Sequence, residues 1–247
     1  MKRLKVLFSV RISIVGPENS GKTTLKRVLY NQGNLVSKSD YRRTRKFDPG
    51  RALFVEYSGS LGSKERIFRN IFDTPGQRHR TVDTVVAHIV DSRPRVLVFV
   101  VDCSRPFQES EEQSERDSSK WFGDLISRAE HVDEGKEFRA ALAKVKLVVL
   151  MLNKANKVHD EVSQSHDFAK DKVPSVVSQR ISDHEVEATK RICALMVQGK
   201  KALNPSDVKV IPSCFVKYDG KSSEAYDKAH MELLVHVHEE LDGKSHD

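Results

Sequence analysis

Apolar and polar residues alternate from Val10 to Ile14, with Arg11 and Ser13 between Val10, Ile12 and Ile14, and Val15 then leads directly into Gly16. That pattern predicts a strand ending on a turn. Leu25, Val28 and Leu29 follow at helical spacing, and Gly33 with Asn34 should stop the helix they define. Ala52 to Tyr57 and Arg66 to Phe72 read as two strands joined by Gly59-Ser60-Leu61-Gly62-Ser63, an antiparallel hairpin. Val96 to Val101 and Leu147 to Leu152 are nearly continuous apolar runs, as expected of strands buried on both faces of a mostly parallel sheet. A weaker sixth strand runs from Val208 to Pro212. Helices are expected around Lys120 to Arg128, which holds the single tryptophan Trp121, after the capping box Ser182-Asp183-His184-Glu185, and near Glu224 to Leu241. Strands alternating with helices define an α/β, doubly wound, three-layer domain: a six-stranded mostly parallel sheet with helices on both faces.

The chain has 247 residues, of which 38% are hydrophobic and 31% charged, so one sizeable core diluted by polar segments accounts for it. We expect a single domain over 1–247 with polar insertions near 104–119 and 157–179. The longest apolar runs are strand-sized, which excludes a membrane-spanning helix as the organising element. Lys2 stands where a myristoylated chain needs glycine, and the last residues hold no prenylatable cysteine, so no direct membrane anchor is expected. Cys103, Cys193 and Cys214 are odd in number and widely spaced, which suits a reducing, cytoplasmic compartment better than a disulfide framework or a zinc site. The net charge of +7 invites a nucleic-acid reading, but no aromatic-interleaved basic stretch supports one. Much of the charge is local: Arg42, Arg43, Arg45, Lys46 and Arg51 crowd one segment, and Glu109, Glu111, Glu112, Glu115 and Asp117 another.

Candidate chemistry concentrates after the first strand. Gly16-Pro17-Glu18-Asn19-Ser20-Gly21-Lys22-Thr23 is a complete GxxxxGK[ST] phosphate-binding loop between a strand and a helix. Its glycines allow the tight turn, backbone N–H groups of the loop and helix start, including Asn19, Ser20, Gly21 and Thr24, cradle phosphate oxygens, Lys22 brings a positive charge, and the Thr23 hydroxyl can bind Mg²⁺. The second element is Asp73-Thr74-Pro75-Gly76-Gln77, at the end of a predicted strand. There a carboxylate can reach Mg²⁺ through water, the Gly76 backbone can reach a γ-phosphate, and Gln77 can orient an attacking water.

With these two elements the chain resembles the Ras superfamily of small GTPases, which implies the P-loop NTPase fold, GTP or GDP as ligand, and Mg²⁺. In that family a base-reading NKxD motif follows the next strand, and here Leu152 is followed by Asn153-Lys154-Ala155-Asn156. The departure falls on the last position. A carboxylate accepts two charge-assisted hydrogen bonds from guanine, whereas the amide of Asn156 must turn a donor toward a donor, so guanine affinity should fall about tenfold or more. Xanthine, with a carbonyl in place of that amine, suits Asn156 better. The final base-contacting element of the family appears as Ser213-Cys214-Phe215, without its lysine. Thr44 is the only threonine available between the first helix and second strand to close on Mg²⁺. Gly16-Pro17, Ser20-Gly21-Lys22-Thr23, the start Leu4-Lys5-Val6-Leu7-Phe8, and Gly50 to Tyr57 are similar to the Rab-like subunit of the intraflagellar transport complex B. That similarity implies a trafficking role at a cilium or flagellum. Glu18, at the third loop position, crowds an incoming arginine finger and implies slow hydrolysis or none. The basic segment from Arg42 to Arg51 and the run Arg78-His79-Arg80 flank both switch positions, which points to a protein partner with an acidic surface or to a multi-subunit complex. Two alternatives stay open: a structural subunit that holds nucleotide permanently, and a P-loop ATPase.

Overall fold

In the computed structural model the described residues are 10–30, 48–49, 53–59, 62–73, 81–105, 107, 118–133, 135–165, 172–214, 233 and 236–237. Their strands are β1 (Val10–Val15), β2 (Asp48–Pro49), β3 (Leu53–Gly59), β4 (Gly62–Asp73), β5 (Val96–Asp102), β6 (Leu147–Asn153) and β7 (Lys209–Ser213). Their helices are α1 (Lys22–Tyr30), α2 (Thr81–Ser92), α3 (Ser118–Glu130), α4 (Gly135–Leu142), α5 (Ala155–Gln164) and α6 (Val173–Gln198). The sheet runs β2-β4-β1-β5-β6-β7, with β3 paired to β4. β4, β1, β5, β6 and β7 are mutually parallel, while β2 and β3 run antiparallel to β4. This is the expected three-layer α/β fold with a mostly parallel sheet, and among the described residues it has seven strands rather than the expected six. The added strand is the two-residue β2.

Strict alternation along the central strands sorts the core into two layers. Ile12, Ile14, Val96, Val98, Val100, Val149 and Met151 point to one face, where Leu25, Val28 and Leu29 of α1 cover them together with Leu233 and Val237. Val15, Leu97, Phe99, Val101, Val148, Leu150 and Leu152 point to the other, covered by α2, α3, α4, α5 and α6. Both middle strands are buried along their whole length, which is why their sequences show no polar alternation. Trp121 lies in the second layer, edge-on to Phe99 and Phe122, with ring centroids 6.3 and 5.0 Å away.

Three expectations are corrected. β3 and β4 pair as far as Gly59 and Gly62, so the hairpin is longer and its connection shorter than the five-residue link the sequence suggests. The 157–179 stretch is largely helical, since α5 extends to Gln164 and α6 begins at Val173. α6 therefore runs straight through Ser182-Asp183-His184-Glu185. Pro174 sits in its first turn, where a missing N–H costs nothing, and Asp183 accepts a hydrogen bond from Gln179 Nε2 (2.8 Å), one turn back, instead of capping. The last predicted helix, Glu224 to Leu241, lies mostly outside the described residues, although Leu233 and Val237 are helical and fully buried at i, i+4.

A small polar cluster joins β1 to α2. Ser13 Oγ on β1 lies 3.0 Å from His88 Nε2 and 3.2 Å from Ser92 Oγ on α2. Burial pushes the His88 pKa down from 6.5 to about 4, against an opposing pull from the Asp91 carboxylate. Between those values the unfolded chain takes up a proton that the folded state excludes. The stability tied to a neutral His88 is complete above pH 6.5 and is lost as pH falls toward about 4, amounting to at most about 3 kcal/mol. Denaturant titrations at neutral pH and at about pH 5 should show the loss, and His88→Gln should flatten the pH slope.

Candidate functional site

β1 delivers the chain to Gly16 on the edge where the carboxyl ends of the parallel strands gather. Gly16 has φ 155°, and a Cβ there would lie 2.2 Å from the Val100 carbonyl oxygen of β5. Only glycine fits against that strand. Asn19 and Gly21 also take positive φ, 61° and 106°, so the loop closes tightly before α1 starts at Lys22. The Leu25 N–H donates to Gly21 O at 2.9 Å, which ties the start of α1 to the loop. Lys22 is buried and donates from Nζ to the Pro17 carbonyl at 2.6 Å, which lays the ammonium across the loop. Glu18 and Thr24 are buried, and Thr23 and Asn19 are half-buried.

The ends of β6 and β7 close the site from the other side. Asn153, Asp102 and Ser213 stand in register at the ends of neighbouring strands. Asn153 Nδ2 donates to the Ser20 carbonyl at 2.7 Å, so the first residue of the segment expected to read the base braces the phosphate loop. Lys154 adopts φ 65°, a left-handed turn that starts α5, and its ammonium pairs with Asp102. Burial pushes the Lys154 pKa down while Asp102 pulls it up. Asn156 is fully buried in the first turn of α5, and neither atom of its amide has a hydrogen-bond partner among the described residues. The same holds for Ser20 Oγ, Asn153 Oδ1 and Ser213 Oγ. Five orphaned polar atoms on the loop and on the two elements that the sequence assigns to the base are costly in a closed core, and they fit a polar ligand that binds across this edge. Cys214 is buried beside them.

Asp73 ends β4 opposite Ile14 of β1, which sets its backbone next to the phosphate loop. Thr23 is the one expected Mg²⁺ ligand whose side chain falls among the described residues, and its place at the start of α1 suits that role. Thr44, Gly76 and Gln77 lie outside the described residues.

Sequence reasoning missed Asp102, Cys103 and Ser104. Asp102 accepts from the Ser104 N–H (3.1 Å) and Ser104 Oγ (2.6 Å) as well as from Lys154. Both the N–H and the thiol of Cys103 reach the Asn153 carbonyl at 3.0 Å. Burial, aided by the Asp102 charge, pushes the thiol up to about 12, so Cys103 is a donor here and not a nucleophile. The signal available was an acidic residue closing a fully apolar strand next to the strand that carries Asn153.

Fold, loop and the brace from Asn153 together form a site suited to a nucleotide, with a complete phosphate loop on one side and buried polar atoms on the other. In agreement, residues 11–130 match the family model described as 50S ribosome-binding GTPase, just under half of the chain. Among solved structures, the translation elongation factor SelB from Methanococcus maripaludis is 12% identical, with a TM-score of 0.45 over 93% of this chain and 34% of that one. Toc33 from Arabidopsis thaliana is 13% identical, with a TM-score of 0.46 over 96% of this chain and 85% of that one. The chain thus spans about a third of the SelB chain. No curated protein matches it.

Proposed function

We propose that the protein is a guanine-nucleotide-binding switch or adaptor subunit with slow or absent GTP hydrolysis. The observation that carries this reading is the complete phosphate loop, braced by Asn153 and bordered by the orphaned polar atoms of Ser20, Asn153, Asn156 and Ser213. Lys22 and the loop amides hold the phosphates. Thr23, with Asp73 and Thr44, supplies the Mg²⁺ ligands. Gly76 and Gln77 sense the γ-phosphate, and ordering of the segments around Thr44 and Gln77 gates a partner. The basic residues from Arg42 to Arg51 and Arg78 to Arg80 select an acidic protein surface, in the cytoplasm. The similarity to the Rab-like intraflagellar transport subunit supports a trafficking complex of a cilium or flagellum as the setting.

A second reading is favoured by Glu18 and Asn156, both buried. A constitutively loaded structural subunit tolerates a crowded γ-phosphate and a weakened guanine contact, since it never exchanges. Nucleotide released by denaturing the purified protein should be GTP or GDP, and the emptied chain should prefer GTP over ATP, with XTP competing well because of Asn156. A preference for ATP would overturn the guanine reading. In single-turnover assays a switch loses its measurable hydrolysis on Gln77→Leu, whereas the constitutive subunit behaves the same with either residue.

A further inference from the structure

Lys154 carries a charge next to the base edge, and its orientation is set by a group outside every motif so far invoked. Asp102 is only 9% exposed at its side chain and ends β5 in register with Asn153 on β6. Its Oδ1 accepts from the Ser104 N–H and hydroxyl, which fixes the carboxylate plane, and its Oδ2 faces Lys154 Nζ, with Arg105 Nε 3.6 Å away. The turn that holds Asp102 is tied in turn to β6 through the two Cys103 contacts to the Asn153 carbonyl. An exposed ion pair of this kind would be worth little. This one is largely desolvated, its carboxylate is immobilised by two further donors, and its lysine sits in a left-handed turn that no ordinary helix start requires.

We infer that Asp102 is a positioning residue for nucleotide recognition: it holds the Lys154 side chain against the end of β6 so that its stem lies over the bound base, in place of the guanine grip that Asn156 weakens. The inference rests on the nucleotide reading given above. On this arrangement the contribution of Asp102 passes entirely through Lys154 and concerns the base end of the ligand, not its phosphates.

The test is a double-mutant cycle on the full chain with fluorescent mant-GDP and mant-ADP, measuring dissociation rates, together with calorimetric titration of inorganic pyrophosphate. Asp102→Asn should speed release of the tighter-bound mant nucleotide about tenfold, with less than a twofold effect in the Lys154→Met background and no change for pyrophosphate. Asp102→Glu, which keeps the charge, should recover most of the native rate. Unchanged release in Asp102→Asn, an equal acceleration in the Lys154→Met background, or a parallel loss of pyrophosphate binding would each overturn the positioning role. If the unaltered chain binds neither mant nucleotide, the nucleotide reading fails first and this inference with it, so the two failures are told apart by the parent protein alone.

Discussion

Replacement of Lys22 by alanine should lower nucleotide affinity by about a hundredfold or more while leaving the fold intact. Its ammonium is buried and laid across the loop on the Pro17 carbonyl. Each hydrogen bond from a charged donor to phosphate is worth about 1.5 to 3 kcal/mol, and a lysine at this loop position is expected to reach two phosphates, so the loss should be at least about 3 kcal/mol. The structural cost is smaller, because the Pro17 carbonyl also lies within reach of the Ser20 N–H, 3.4 Å away. Equilibrium titration with mant-GDP, accompanied by far-ultraviolet circular dichroism, separates the two effects. A variant that keeps native affinity would remove the loop from the binding site altogether.

The second large effect is expected in the core. Phe99 is fully buried at the middle of β5, opposite Val15, and packs against Phe122 at a centroid distance of 5.6 Å and against Trp121 at 6.3 Å. Phe99→Ala should cost about 3 to 5 kcal/mol, from lost transfer energy plus the cavity left behind. Against a typical total of about 5 to 15 kcal/mol that is a large fraction. Denaturant unfolding with and without saturating GDP measures it, and ligand should raise the midpoint of the variant, since anything bound only by the folded state stabilises it. A loss below about 1 kcal/mol would mean that the aromatic layer repacks without penalty.

What the sequence made legible follows from where the physical constraint was local. The phosphate loop could be read outright, because the geometry it needs is written in Gly16, Gly21, Lys22 and Thr23 and depends on nothing distant. Strands β5 and β6 could be read because burial on both faces leaves no other composition for them. Helix boundaries were harder. The sequence expectation omits α2, yet Val82, Val85, Val86, Ile89 and Val90 repeat at helical spacing, and Val85 and Ile89 are fully buried. The start of α6 was misplaced because a capping-box pattern is also a run of ordinary helix-surface residues, and here His184 is buried with its ring nitrogens against two carbonyl acceptors: Nε2 lies 2.5 Å from Arg105 O and Nδ1 2.8 Å from Arg180 O. No sequence pattern marks such a contact, since its partners are 79 and 4 residues away. The support of Lys154 by Asp102 was invisible for the same reason: 52 residues separate them, and only the β5–β6 register brings them together.

The contact between Ser13 and α2 has a mechanical consequence. α2 begins eight positions after Asp73, and the intervening chain holds Gly76 and Gln77, the residues expected to sense the γ-phosphate. Its far end is riveted to the very strand that feeds the phosphate loop, by His88 and Ser92 on Ser13 and by Arg11 on the Ser92 carbonyl at 2.7 Å. Sliding the whole helix would strip these bonds and unseat Val85 and Ile89 at once. α2 is thereby a fixed post on β1: a shift of the helix along its axis would have to carry with it the strand that leads into Gly16.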